Sequence, residues 1–341
     1  MKAVVIHAHG GVDKLTYQDI ATPEPGFGEI LIRIKAAGVN HFDHDIREGI
    51  SGVEQELPHV LGIEGAGEVA EVGAGVTNVR AGDRVAPYNL ICGSCRNCLS
   101  GLENICLNRA RLGVNRWGTY AEYVRVGQHH VIPLPRTLGY EQAAACPCCF
   151  GTTWNMAVKI GKVQAGEDVL INAAGSGIGS AAIQIARLHG ARVIASASSE
   201  AKLAKAKDIG ADEVINYTTQ SLADEVLKLT GGKGADLVIE SVGGHVLVDS
   251  IKALRFAGRI VTCGAHAGEH VDLDVIELFR KQITLHGNHY APRAQIARVL
   301  NLVAEGKLKP VIHASFPLED AREAARVMAE RRAFGKMILI P

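Results

Sequence analysis

Up to about residue 131 the apolar positions come in short β-branched runs cut by glycine and proline, at residues 3–6, 29–34, 67–72, 84–86 and 120–126. Runs with this length and punctuation predict a β-rich barrel or sandwich. From about Asp168 the pattern changes. Apolar runs at 169–172, 193–196, 213–217, 237–240 and 260–262 recur at intervals of a little over twenty residues, with helical periodicity at 200–209, 222–229 and 246–256 between them. Buried strands alternating with helices predict a doubly wound parallel sheet, because each parallel return needs a crossover of about a dozen residues. Residues 283–341 add a strand near 283–286, amphipathic helices near 295–305 and 319–332, and a last apolar run at 336–340. The predicted class is α/β, a β-rich domain plus a doubly wound parallel sheet.

Length and charge narrow the partners. A chain of 341 residues is about twice a typical domain, so two domains are expected. Lys+Arg 36 against Asp+Glu 36 leaves no net charge, which points away from nucleic acid and from anionic membranes. Hydrophobic residues at 47%, with 21% charged and 38 Gly, exclude a mainly disordered or fibrous protein. No apolar run approaches the ~18–20 residues that span a bilayer, and residues 1–6 read as strand, so the expected location is cytoplasmic.

The eight cysteines are unevenly spread: Cys92, Cys95, Cys98 and Cys106 form one group, Cys146, Cys148 and Cys149 a second, and Cys263 stands alone in an apolar run that predicts a core position. The first group has two, two and seven residues between successive thiols. Four thiolates this close can surround one tetrahedral ion at about 2.3 Å each, and a full shell of four cysteines leaves no position open for chemistry. One structural Zn2+ per chain is therefore expected, with an iron cluster or free thiols as alternatives.

Ala173-Ala174-Gly175-Ser176-Gly177-Ile178-Gly179 lies between the first strand of the predicted parallel sheet and its helix. Glycine permits a tight turn there, and the helix N-terminus offers unpaired N–H groups to a pyrophosphate, so Ala174 to Gly179 are expected to bind a dinucleotide. An acidic residue at the end of the next strand would bind the ribose 2′-OH of NADH. The chain instead reads Ala195-Ser196-Ala197-Ser198-Ser199-Glu200-Ala201-Lys202. Hydroxyls followed by Lys202 suit a 2′-phosphate, so NADPH is expected over NADH. The alternative is that the serines cap the next helix and Lys202 is solvated.

These residues resemble the medium-chain dehydrogenase/reductase superfamily of zinc-containing alcohol dehydrogenases and quinone oxidoreductases, along essentially the whole chain. The carrying motifs are Ala36-Ala37-Gly38-Val39-Asn40, Gly62-Ile63-Glu64-Gly65-Ala66-Gly67, the cysteine lobe at 92–106, the turn at 174–179 and Gly335-Lys336. The resemblance implies a GroES-like catalytic domain at 1–130 and 285–341, interrupted by a Rossmann cofactor domain at 131–284, with the active site in the cleft between them. Zinc alcohol dehydrogenases of this superfamily carry catalytic ligands at the positions of Asn40, Ile63 and Cys148; Asn is a poor zinc ligand and Ile cannot be one. The segment from Gly38 to Asp43 is similar to the quinone and enone reductase branch, which reduces without a catalytic metal. In that branch, contacts to the 2′-phosphate match Ser198, Lys202 and Tyr217. Gly264 is expected to join the cofactor contacts.

The resulting expectation is an NADPH-dependent reductase of a quinone or α,β-unsaturated carbonyl, lacking catalytic zinc and assembled as a homodimer or homotetramer. Asn40 is expected to donate to the developing oxyanion, with Thr152 near the nicotinamide as the family implies. His41, His44 and His59 are candidates for the proton. Asp43 is a further catalytic candidate, with a packing role beside Arg47 as the alternative. Two other readings remain: a zinc alcohol dehydrogenase whose atypical site uses Cys148, Glu64 and one of His41, His44, Asp43 or His59, and a largely non-catalytic nucleotide-binding protein.

Overall fold

A computed structural model describes all 341 residues, which divide into two compact units. Unit 1 comprises Met1–Cys148, Pro292–Gly306 and Ile312–Pro341; unit 2 comprises Cys149–Ala291 and Lys307–Val311.

Unit 1 begins with β1 (Lys2–Ile6), β2 (Thr16–Asp19), β3 (Glu29–Val39), β4 (His59–Val60), β5 (Gly65–Val72), β6 (Arg84–Pro87), β7 (Tyr123–Gly127) and β8 (Val131–Pro133). Strands β2, β1 and β4 form a small antiparallel sheet. The larger sheet is built on β3, which pairs antiparallel with β5 and, over Glu29 to Arg33, with β7. Apolar residues alternate with charged ones from Ile32 to Lys35, and the strand then becomes wholly small or apolar from Ala36 to Val39, all four buried. That change carries β3 from a half-solvated sheet into the interior, where it ends at Asn40.

Unit 2 contains β9 (Asp168–Ile171), β10 (Arg192–Ala197), β11 (Glu213–Asn216), β12 (Ala235–Glu240), β13 (Leu254–Thr262) and β14 (Thr284–Gly287). All pair parallel in the order β11-β10-β9-β12-β13-β14. This is the doubly wound order of a dinucleotide-binding sheet, so ligands are expected at the carboxyl ends of the strands where the order reverses beside β9. The chain then returns to unit 1 with β15 (Ile312–Pro317) and β16 (Lys336–Ile340), giving a seven-stranded sheet with the path β15-β16-β3-β5-β6-β8 and β7 alongside β3. Each unit has its own apolar core, one around Ile30, Ile32, Val69 and Leu339, the other around Leu170, Ile194, Val238 and Ile260. No helix is long and apolar enough to cross a membrane.

Several boundaries differ from the sequence expectation. The first unit runs to Cys148 instead of 130, because β8 pairs with β6 and the short helix Tyr140–Ala144 packs on β3 and β5. The second runs past 285 to Ala291, because β14 belongs to the parallel sheet. Residues 307–311 also join unit 2, tied by the paired bonds of Gln184 with the Lys309 backbone at 2.8 and 2.9 Å. The helix expected at 246–256 stops at Lys252, since the chain already enters β13 at Leu254. Cys263 follows β13 instead of lying in it and is half-buried; burial pushes its thiol up to about 12.

Candidate active site and cysteine lobe

In the lobe, the short helix Arg96–Leu99 and the turn Glu103–Ile105 fold the segment back on itself, bringing the sulfurs of Cys92, Cys95, Cys98 and Cys106 within 4.8 Å of one another. Sulfur–sulfur distances are 3.5 Å for Cys95–Cys98 and Cys92–Cys106, 3.9 Å for Cys95–Cys106 and 4.0 Å for Cys92–Cys98. Sulfurs at about 2.3 Å from a tetrahedral zinc stand about 3.8 Å apart, so the spacing fits that ion. Backbone N–H groups of Ser94 and Cys95 lower the Cys92 thiol to about 5, while burial pushes Cys98 up to about 12. Four thiols in one place cannot all ionise without a cation to balance them.

The glycine-rich turn leaves β9 through Ala173, which adopts a left-handed φ of 52°. Ser176 caps the helix Gly177–Leu188 by accepting from the Gly179 N–H at 2.9 Å. A Cβ on Gly179 would lie 2.2 Å from the Ala173 carbonyl oxygen, so only glycine lets helix and strand approach this closely. The first-turn N–H groups of Gly177 and Ile178 are left for an anion.

At the carboxyl end of β10, Ala197 is buried and Ser198 exposed, and the Tyr217 N–H donates to the Ala197 carbonyl at 3.3 Å. Ser198 and Tyr217 therefore flank one strand end, and Lys202 lies in the first turn of the helix Glu200–Asp208. Glu200, the nearest carboxylate in sequence, accepts from Asn216 Nδ2 at 2.8 Å. That contact escaped sequence reasoning, because only strand pairing brings Asn216 alongside Ala197. Also unforeseen was Glu240, fully buried at the end of β12, which accepts from the Gly243 N–H at 2.9 Å and the Thr262 hydroxyl at 2.7 Å and so ties the ends of β12 and β13 together. Gly264 lies just beyond, against the Ser241 carbonyl. Thr152 is buried in the helical stretch Thr152–Trp154, between the wider turns Pro147–Gly151 and Asn155–Ile160.

The remaining candidates converge in unit 1. Asn40 caps the helix His41–Glu48, and its N–H donates to Asp43 Oδ2 at 2.9 Å. Its side chain is enclosed: Nδ2 donates to Glu64 Oε1 at 2.9 Å and to the Gly38 carbonyl at 3.3 Å, while Oδ1 accepts from Lys336 Nζ. Glu64 is fully buried. Its Oε1 also pairs with Lys336 and its Oε2 accepts the Cys148 N–H at 2.7 Å. Both hydrogens of the Asn40 amide therefore already have acceptors within the protein.

Asp43 does not pair with Arg47. It accepts from the Tyr120 hydroxyl at 2.9 Å as well as from Asn40, its Oδ1 is buried without a partner, and burial raises its carboxyl to about 6. Arg47 instead donates to the Gly10 carbonyl, to His44 Nδ1 at 2.6 Å and to Glu48 at 2.9 Å. A guanidinium can only donate, so His44 carries its hydrogen on Nε2, which faces Glu48 at 3.4 Å. His41 lies with its ring 5.6 Å from that of His44; His59 is buried in β4, and burial lowers its pKa. Cys148 meets Glu64 through its backbone N–H, and the cysteine lobe is the only place where three or more metal-ligating side chains come together.

Two family models match, "Alcohol dehydrogenase GroES-like domain" over residues 26–136 and "Zinc-binding dehydrogenase" over residues 177–305. The chain is 33% identical over 341 residues to an alcohol dehydrogenase of Geobacillus stearothermophilus, covering 99% of each, and 29% identical over 348 residues to a quinone oxidoreductase of Rattus norvegicus, covering 100% of this chain and 98% of the relative. A solved NAD-dependent alcohol dehydrogenase superposes with a TM-score of 0.95 at 45% identity, covering 100% of both chains. The chain belongs to the medium-chain dehydrogenase/reductase superfamily of zinc-containing alcohol dehydrogenases and quinone oxidoreductases. It is an NAD(P)-dependent oxidoreductase with a GroES-like domain, a Rossmann-type parallel sheet and a zinc-binding cysteine cluster.

Proposed function

We propose that this chain is an NADPH-dependent reductase that delivers hydride to a quinone or an α,β-unsaturated carbonyl without a catalytic metal, and that the zinc in the 92–106 lobe is structural. One observation carries this reading. At the positions where zinc-dependent relatives hold their ligands, this chain has a closed network of Asn40, Glu64 and Lys336 in which both Glu64 oxygens are engaged. A buried ammonium already supplies positive charge there.

Bound NADPH would supply the hydride. Ala174 to Gly179 would hold its pyrophosphate at the helix N-terminus, with Gly264 closing the far side. Ser198, Lys202 and Tyr217 favour a 2′-phosphate, because Ala197 offers no carboxylate and Glu200 is turned onto Asn216. Reduction puts negative charge on the substrate oxygen. Asn40 supplies the stabilising donor by releasing the N–H that it holds at 3.3 Å from the Gly38 carbonyl, the longer of its two bonds. Thr152 is assigned beside the nicotinamide, and the proton comes from solvent or from His41, at the start of the helix that Asn40 caps. A homodimer or homotetramer is supported by β14, an outer strand carrying exposed Leu285, and by exposed Val275, Ile276 and Phe279 on the helix Val275–Arg280.

Most relatives are named alcohol dehydrogenases, some of them NAD-dependent, which favours a second reading, alcohol oxidation with NAD. Metal analysis with a substrate screen separates the two. The reductase reading expects one zinc per chain and NADPH oxidation by a simple quinone or enone that survives prolonged chelation. Two zinc ions per chain, with activity restored only by added metal, overturn it.

A further inference from the structure

We propose that Lys336 is a positioning residue for hydride transfer: its ammonium, held between Glu64 and Asn40, dictates which way the Asn40 amide faces and fixes a positive charge beside it. This inference rests on the metal-free reading above.

An ammonium has three donors and no acceptor, so whatever meets it must present lone pairs. Asn40 therefore turns Oδ1 to Lys336 and is left with Nδ2 facing Glu64 and Gly38. Glu64 enforces the same choice from the other side. Its Oε1 is shared by Lys336 and Asn40, and its Oε2 is taken by the Cys148 N–H, so it presents only acceptors to the amide. A flipped amide would set its oxygen against the carboxylate and its N–H groups against the ammonium. The network thus admits one orientation, the one that keeps an N–H available to capture a developing oxyanion, a stronger acceptor than the Gly38 carbonyl.

The backbone builds this arrangement. Strand β16 pairs antiparallel with β3 with Met337 opposite Val39, so the next position along each strand sets Lys336 opposite Asn40. Lys336 is buried although it opens the strand, and Gly38 makes room: a Cβ there would lie 2.6 Å from Glu64 Oε1 and 2.8 Å from the Ala144 carbonyl oxygen.

The test uses the double variant Glu64→Gln/Lys336→Met, which removes both charges and leaves neither buried alone. Its glutamine can accept the Cys148 N–H while offering N–H groups to Asn40, which favours the flipped amide. With 1,4-benzoquinone as probe, kcat is expected to fall about 100-fold, the scale of losing one oxyanion donor, while KM, NADPH affinity and circular dichroism stay within about threefold or unchanged. Lys336→Arg, which keeps a donor-only cation, should restore kcat to within about tenfold of wild type. A double variant with wild-type kcat overturns the proposal, for Lys336 would then only neutralise Glu64. Should the double variant fail to fold, Lys336→Gln decides: its amide can present either face, so a fall in kcat at unchanged NADPH affinity supports positioning and an unchanged kcat overturns it. A wild-type protein inert toward every quinone and enone overturns the reductase reading and this inference with it, an outcome distinct from an active wild type matched by its variants.

Discussion

In the lobe at residues 92–106, four thiol sulfurs converge, and the cation that balances them has to come from solution. Around Glu64 the converging acceptors bring their own cation, the Lys336 ammonium, on the last strand of the same sheet. The lobe is drawn from one stretch of fifteen residues and includes the exposed Cys92; the cluster gathers residues 40, 64, 148 and 336, with Asn40, Glu64 and Lys336 buried and Cys148 half-buried. A site that imports its charge can be local and open, because the metal supplies the binding free energy that holds it together. A site with built-in charge needs long-range pairing and burial, because an exposed lysine–carboxylate pair is worth little.

The largest effect expected from testing this contrast is in the lobe. Cys106→Ser should lower zinc affinity by well over 100-fold, more than the 10–100-fold typical of losing an outer partner of a ligand. Zinc content should fall from one per chain toward zero, while turnover per folded chain stays within a few-fold of wild type. Turnover that disappears with the zinc would erase the distinction between the two regions.

A smaller effect belongs to Asp43, which neighbours the built-in charge. Burial raises its carboxyl from 3.8 to about 6, with Lys336 pulling it down and Glu64 pushing it up. The folded chain therefore holds this proton to higher pH than the unfolded chain does, and stability from that proton is present below about 4 and lost as pH rises through about 6. The difference corresponds to roughly 3 kcal/mol. Asp43→Asn should flatten that part of the unfolding free energy between pH 4 and 7 in denaturant titrations; an unchanged slope would mean that Asp43 keeps its ordinary acidity.

The smallest effect is expected where charge is neither buried nor metal-bound. Lys202→Glu should weaken NADPH binding at least about tenfold while leaving NADH nearly untouched. Equal losses in fluorescence titrations with the two cofactors would make Lys202 a bystander.

Much of this was legible in the sequence, for local reasons. The four-cysteine spacing, the turn at 174–179 and the helix at Leu222–Leu229 are each set by neighbours within a few residues, and the structure reproduces them. Illegible were contacts between segments far apart. Lys336 reaches Asn40 across 296 positions, Tyr120 reaches Asp43 across 77, and Asn216 reaches Glu200 only through strand pairing. Spacing within a helix suggests Arg47 as the partner of Asp43, whereas the tertiary fold delivers Tyr120. One signal did exist: a lysine that opens a five-residue strand whose other four residues are apolar is a cation about to be drawn into a sheet.

The register that sets Lys336 opposite Asn40 also orders events in time. A chain emerging from the ribosome presents Asn40 and Glu64 early, yet neither can reach its final arrangement until position 336 has been made. Until then unit 1 lacks both the strand that covers one edge of β3 and the ammonium that faces Glu64, so a prematurely terminated product should be inert and prone to degradation.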